Sequence, residues 1–322
     1  METRNVLLLG GSGFIGSAVA ARLCDRNIRV VVPTRIARRA RALSILPTVS
    51  LVQADIHDTA QLLPLMRGMD AVINLVGILH GNFEREHVQL PRLVAECCVK
   101  ANVPRLVHMS ALNADVTAPS AYLQSRDRGE AAVAAVAAAH PALHTTVFQP
   151  SVVFGEGDKF LNMFAGLVKF SPVIPLGSPG ALFQPVWVED LARAIVQCLD
   201  MPQTFGQTYP MVGPRIYTLK ELLQFVMAAT GHQRPIIGLG SALTGLQAAV
   251  FERLPGKLIT RDNVRSMQVP STCEQGFPAI FGTAHAMETI AGAYLGRADT
   301  NGGRARYTTL RAGAGRTGQS TR

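Results

Sequence analysis

The chain predicts an α/β protein: a doubly wound parallel sheet with a smaller C-terminal, substrate-side lobe. Three observations carry that expectation. First, an apolar run, Val6-Leu7-Leu8-Leu9, leads directly into the glycine turn Gly10-Gly11-Ser12-Gly13-Phe14-Ile15-Gly16. Second, the turn opens an amphipathic segment with Ile15, Val19 and Leu23 on one helical face. Third, short apolar runs alternate with helix-length segments as far as about residue 212, as in parallel sheets covered on both faces.

Taken in order, the second strand is expected at 28–32, closed by Pro33-Thr34-Arg35, and the third at 49–54, ending at Asp55-Ile56. A short helix follows at 62–69, then a fourth strand over 71–77 containing Asn74, Val76 and Gly77. A crossing helix at 84–101 holds Pro91, which should kink it or break its first half. A fifth strand at 105–110 ends on Ser110, an alanine-rich helix covers 120–140, and a sixth strand covers 144–148. The run 186–188 feeds a helix at 189–199, and 208–212 is the last strand. Thr218 is placed to cap a helix at 219–230, with Glu221 at the capping-box position and Gly231 ending it. Residues 1–155 plus about 183–212 therefore form one domain, and 156–182 with 213–296, richer in Pro and Gly, form the smaller lobe.

A strand, a glycine turn and a helix are the parts a dinucleotide pyrophosphate needs. Gly10 permits the tight turn, Gly13 lets backbone approach the phosphates, and Gly16 lets the helix pack on the strand. The helix N-terminus then faces the anion. The end of the second strand is where an acid would accept hydrogen bonds from the ribose of NAD(H), yet no Asp or Glu lies between Asp25 and Asp55. Arg35, Arg38, Arg39 and Arg41 stand there instead, and a guanidinium suits the 2′-phosphate of NADP(H). NADP(H) is favoured; NAD(H) and a merely solvated basic face stay open. Asp55 and Ile56 would lie where an adenine could be contacted, and Asn74, Val76 and Gly77, at the C-terminal end of the fourth strand, near the cofactor.

Ser110 ends a parallel strand and Tyr122 starts the next helix, so both can face the site at the strand C-termini. A tyrosine can exchange a proton with a carbonyl–alcohol pair while a serine hydroxyl polarises the same oxygen. A cation four residues on, one helical turn away, would lower the phenol pKa from its usual ~10; Arg126 occupies that place.

These residues resemble the short-chain dehydrogenase/reductase superfamily, whose signature is Ser with Tyr-x-x-x-Lys, on a Rossmann-type fold. The glycine spacing is that of its extended and atypical branches. Gly10 to Gly16, Val72-Ile73-Asn74-Leu75-Val76-Gly77, His108-Met109-Ser110-Ala111-Leu112, Gln149-Pro150-Ser151-Val152-Val153-Phe154-Gly155 and Phe183-Gln184-Pro185-Val186-Trp187-Val188-Glu189-Asp190 occur in that order. The set resembles the atypical group related to the nucleotide-binding accessory subunit of respiratory complex I, including bacterial homologues, over roughly residues 5–270. The departure is Arg126 in place of Lys, which keeps the charge but is longer, planar and never deprotonates. The resemblance implies either a nucleotide-binding protein with a structural or regulatory role in a respiratory or quinone context, or an active reductase, dehydrogenase or epimerase on a small carbonyl, sugar or quinone-like substrate. Ser110, Tyr122 and Arg126 are the candidate catalytic residues.

Composition bounds the rest. Nearly half of the 322 residues are apolar (48%), which supplies a sizeable core, and no apolar run approaches the ~18 residues of a membrane span. With no signal-peptide layout at the start, a cytoplasmic protein is expected, with peripheral contact to the inner membrane open. Five cysteines lack metal-ligand spacing, and His57, between Asp55 and Asp58, reads as a solvated loop rather than a metal site. The net charge of +9 is uneven: residues 297–322 hold six arginines against one acid. That tail is polar and expected to be disordered, either solvated or touching an anionic surface. Without interleaved aromatics, a nucleic-acid partner is not expected.

Overall fold

The structure is a computed structural model and describes residues 2–240 and 260–295. The expected basic tail lies outside them, as does part of the lobe. The first half of the chain alternates β1 (Asn5–Leu9), α1 (Phe14–Asp25), β2 (Arg29–Thr34), β3 (Val49–Gln53), α2 (Thr59–Met66), β4 (Ala71–Asn74), α3 (Leu90–Lys100), β5 (Arg105–Met109), α4 (Ala121–Ala139) and β6 (His144–Pro150). Then come β7 (Val153–Phe154), α5 (Phe160–Phe170), β8 (Ile174–Gly177), β9 (Leu182–Phe183), β10 (Val186–Trp187), α6 (Val188–Gln197), β11 (Gln207–Met211), β12 (Tyr217–Thr218), α7 (Leu219–Ala229), β13 (Ile236–Leu239), α8 (Arg261–Ser266) and α9 (Met287–Leu295).

Seven strands form one parallel sheet in the order β11-β6-β5-β4-β1-β2-β3. The chain reverses its direction of winding between β1 and β4, the switch point at which such sheets bind ligands. Every residue of β1 after Asn5 is buried, and side chains alternate between faces. Val6 and Leu8 join a core with α1 and α6, while Leu7 and Leu9 join a second core with α2, α3 and α4. Each fully buried Leu contributes about 1.5–3 kcal/mol of transfer free energy, so this five-residue strand anchors both layers. A third core, with Leu161, Phe164, Leu222, Leu223 and Val226, lies in the lobe.

Four differences from the sequence reading have local causes. Strand β2 runs on through Pro33. Arg29 N–H points to β1 and Val30 N–H to β3, so the missing N–H of Pro33 falls on the β1 side, past the last β1–β2 pair, Leu7–Val31. Helix α2 begins at Thr59, three residues early, because the Asp58 carboxylate accepts the Ala60 N–H (2.9 Å). Strand β4 stops at Asn74, three residues short, because the Asn74 side chain takes the Val76 N–H (3.2 Å) that would have continued the ladder. Residues Glu84–Gln89 form a π-helix that passes without a break into α3, with Pro91 in the first turn of α3. The expected Pro91 disruption thus takes the form of a change of helical register.

Helix α7 follows its sequence closely. Thr218 and Glu221 make both bonds of the capping box, and Gly231 has φ +70°. Cys24, Cys97, Cys98 and Cys198 are buried thiols and Cys273 is half-buried. His57, expected in a solvated loop, instead packs its ring against Glu86 of the π-helix (Nε2–Oε1 3.2 Å).

Candidate functional site: a glycine cradle and a tyrosine helix at the switch point

The cradle starts at Gly10, directly after β1. Its φ is +79°, and a Cβ there would stand 3.1 Å from the Leu75 carbonyl carbon, where the chain leaves β4. Only glycine meets both demands. The turn closes with Gly13 N–H donating to Gly10 O (2.9 Å). Gly16 is wedged against Gly10 and Gly11, 2.6 Å from the Gly11 Cα for a built Cβ, so its role is packing on the turn rather than on the strand. Gly13 has φ −78° and its only close neighbour would be Gly10 O at 3.1 Å. Backbone strain therefore does not require glycine at Gly13, and within the protein a Cβ there would meet only Gly10 O. No side chain caps α1, whose N-terminus faces the turn, and Ser12, Phe14 and Ile15 complete it.

The other sequence-predicted residues gather along the same edge. Arg35 follows β2 and is exposed, and Asp55 and Ile56 follow β3. The Asp55 carboxylate accepts the His57 N–H (3.1 Å), shaping that turn, while Ile56 leans on the core. Asn74 ends β4, with Val76 and Gly77 in the loop beyond it. Ser110 follows β5, buried, and its Oγ makes no hydrogen bond of ordinary geometry. Ser120 caps α4 through its Oγ and the Leu123 N–H (3.2 Å), which sets Tyr122 in the first turn.

Arg126 is buried at 6% exposure and turned inward. Its Nη1 donates to Met109 O (3.1 Å) and lies 3.4 Å from Val76 O, so one guanidinium joins the ends of β5 and β4. Its other terminal nitrogen fills the space a Cβ on Gly77 would take. The Tyr122 ring lies 5.4 Å from the guanidinium carbon.

Several residues here carry no signal in the glycine or tyrosine motifs. His87, in the π-helix, accepts the Ile78 N–H at Nε2 (3.0 Å) and donates from Nδ1 to Ser125 Oγ (2.9 Å). Ser125 in turn donates to Tyr122 O (2.7 Å), which fixes this tautomer. Burial, then the Arg126 and His108 charges, bring His87 down to about 3, so it stays neutral. His108, fully enclosed beside Asn74 and near Arg126, is likewise pushed down to about 3. Phe83 stacks on His87 (5.2 Å) and both present ring edges to Tyr122, at 6.0 and 5.6 Å. From the lobe, the Asp262 carboxylate accepts the Ala121 and Tyr122 N–H groups (2.9 and 3.0 Å), anchoring the start of α4. Glu130, two turns beyond Tyr122 on α4, is bound through both oxygens by Gln149 Nε2 (2.8 and 2.9 Å).

The glycine cradle, the uncapped helix and the unbonded Ser110 hydroxyl fit a dinucleotide laid across the switch point. Comparison with known proteins agrees. The profile of the NAD dependent epimerase/dehydratase family matches residues 6–212. The chain belongs to that family. Among curated relatives, NADH dehydrogenase [ubiquinone] 1 alpha subcomplex subunit 9, mitochondrial, of Mus musculus is 31% identical over 233 residues, 69% of this chain and 60% of that protein. The NADH-ubiquinone oxidoreductase 40 kDa subunit, mitochondrial, of Neurospora crassa is 27% identical over 226 residues, 68% and 58% of the two chains. The family member described here thus spans about three fifths of the length of these relatives. Among solved structures, the NADPH-dependent quinone oxidoreductase of Escherichia coli, complexed with NADPH, aligns with TM-score 0.73 at 18% identity, over 90% of this chain and 99% of that one. A nucleoside-diphosphate-sugar epimerase from Staphylococcus aureus aligns with TM-score 0.71 at 15% identity, over 91% and 99%. Both share the fold.

Proposed function

We propose that this family member binds a nicotinamide dinucleotide, preferring NADP(H), in a structural or regulatory role within an assembly of the respiratory complex I type. The observation that carries the role is the position of Arg126. The superfamily signature uses its cation near the nicotinamide ribose; here the guanidinium is spent on Met109 O and Val76 O and buried under Gly77. That arrangement holds two strand ends together around a bound ligand and leaves the tyrosine without a lysine-like partner. Arg35, exposed just past β2 with no acid near it in sequence, supports the 2′-phosphate. The names of the relatives support the respiratory setting. No helix among the described residues is long and apolar enough to cross a membrane, so attachment to such an assembly would be peripheral.

The second reading, an active NADP(H)-dependent reductase, dehydrogenase or epimerase, is favoured by one specific feature. Ser110 Oγ is buried with its hydrogen-bonding capacity unused, as a hydroxyl waiting for a ligand oxygen would be. One experiment separates the readings. Mass spectrometry of nucleotide released from freshly purified protein should show NADP(H). A panel of carbonyl, sugar and quinone substrates should then leave NADPH unoxidised. Turnover that vanishes in Tyr122→Phe would establish the enzyme instead, and release of no dinucleotide together with no binding would remove both readings.

A further inference from the structure

Glu86 and His87 are neighbours in the π-helix, yet they hold opposite ends of the strand-end site. His87 accepts the Ile78 N–H at Nε2 (3.0 Å), just beyond β4, and bonds Ser125 of the tyrosine helix through Nδ1 (2.9 Å). Glu86 reaches the other way. Its Oε1 lies 3.2 Å from Nε2 of His57, in the turn after β3. In an α-helix adjacent side chains diverge by about 100°. The wider turn of i→i+5 bonding brings them closer to one direction, and here both are turned inward.

The turn after β3 is tied to α2 by Asp55 N–H, which donates to Gln61 Oε1 (2.9 Å), and by Asp58, which caps that helix. Within the turn, Asp55 Oδ1 accepts the His57 N–H (3.1 Å). The His57 ring carries this tie across to the π-helix. The His57 and Glu86 side chains are only 15% and 19% exposed, so water screens their contact little. The other ion pair made by the same helix, Glu84–Arg128 (2.9 Å), is half-exposed on both sides and contributes little.

We propose that Glu86 is a positioning residue for adenine recognition and acts through His57 on the Asp55 carboxylate. A carboxylate oxygen only accepts hydrogen bonds. Placed at the base, it favours adenine, which carries an exocyclic amino group, over a base with a carbonyl in that place. Without the Glu86 brace the turn keeps only its ties to α2, and the Asp55 carboxylate is no longer fixed in direction. The preference for adenine is then lost while the phosphates still bind at the glycine cradle. The proposal rests on the dinucleotide reading and adds to it a determinant from the π-helix, outside every motif of the site.

The test compares NADPH with its deamino analogue, in which hypoxanthine replaces adenine, by calorimetric titration into the full chain. Wild type should bind NADPH at least about tenfold more tightly, the lower end for a hydrogen bond to a charged group. Glu86→Ala should bring that ratio close to one. His57→Leu, which removes the same contact from its other end, should do likewise. Glu86→Gln keeps a carbonyl oxygen within reach of His57 and should retain most of the preference. Glu84→Ala, which breaks the exposed pair of the same helix, should keep the wild-type ratio. A merely structural Glu86 would lower the melting temperature, or the affinity for both nucleotides alike, and leave their ratio unmoved. A wild-type ratio near one, an unmoved ratio in Glu86→Ala or His57→Leu, or an equal fall in Glu84→Ala overturns the proposal and leaves the dinucleotide site standing. Binding of neither nucleotide by wild type would instead remove the reading beneath it.

Discussion

Lysine and arginine carry the same charge, yet only a guanidinium can reach two strand ends from one position on α4. Arg126 donates to Met109 O at 3.1 Å while its Nε remains buried and unpaired, so it is committed to the fold at some desolvation cost. Arg126→Lys should therefore lower stability by about 1.5–3 kcal/mol, the worth of a charged hydrogen bond, in denaturant unfolding, while NADPH still binds. Unchanged stability would return Arg126 to the catalytic reading. At the end of β2, Arg35→Asp should cost NADPH affinity by a similar ~1.5–3 kcal/mol and leave NADH largely unaffected. Parallel fluorescence titrations showing unchanged discrimination would place the 2′-phosphate elsewhere. Gly10, Gly16, Ser110, Tyr122 and Arg126 could be put forward as site residues because the glycine spacing, the strand end and the tyrosine spacing mark them, and the structure brings them to the ends of β1, β4 and β5. His87 could not: it reaches Ser125 and the start of α4 from the π-helix, 38 residues earlier in the chain, and nothing local marks it.

At the level of elements, sequence reading succeeds where local chemistry decides. The capping box of α7 and the burial of β1 follow from their own residues. It fails where a side chain from elsewhere decides, as when Asn74 ends β4 by taking the Val76 N–H. The π-helix is the clearest case, since i→i+5 bonding has no compositional signature. Its register is tied to Pro91, which cannot donate to the His87 carbonyl. That carbonyl presses on Gly129 of α4, where no side chain stands in the way. Gly129→Ala should push the π-turn away from α4 and cost about 1–3 kcal/mol by overpacking. The His87–Ile78 and His87–Ser125 bonds, 3.0 and 2.9 Å, should loosen with it. A thermal melt matching wild type would mean that the two helices are not braced at this point.

Across the whole molecule, two neutral histidines sit between the sheet and α4, and they make stability depend on pH. Both are held near 3, well below the ordinary 6.5, so the unfolded chain takes up their protons first. Stability from this source is fully present above about pH 6.5 and is lost as pH falls toward 3, by at most about 1.4 kcal/mol per pH unit per histidine. Glu130, Asp158 and Glu189, whose carboxyls are raised by burial, act in the opposite sense. Comparison with His108→Gln isolates the histidine. Between pH 7.5 and 5, wild type should lose roughly 2 kcal/mol more than the variant, and equal losses would show that His108 is protonated in the fold.

The same scale holds the central claim, that seven parallel strands present a glycine cradle, an exposed Arg35 and the Ser110–Tyr122 pair along one edge for NADP(H). Calorimetric titration of NADPH and NADH into the purified full chain tests it most directly. The account predicts one site per chain, with NADPH bound at least tenfold more tightly than NADH, about 1.4 kcal/mol. No saturable binding of either nucleotide would contradict it.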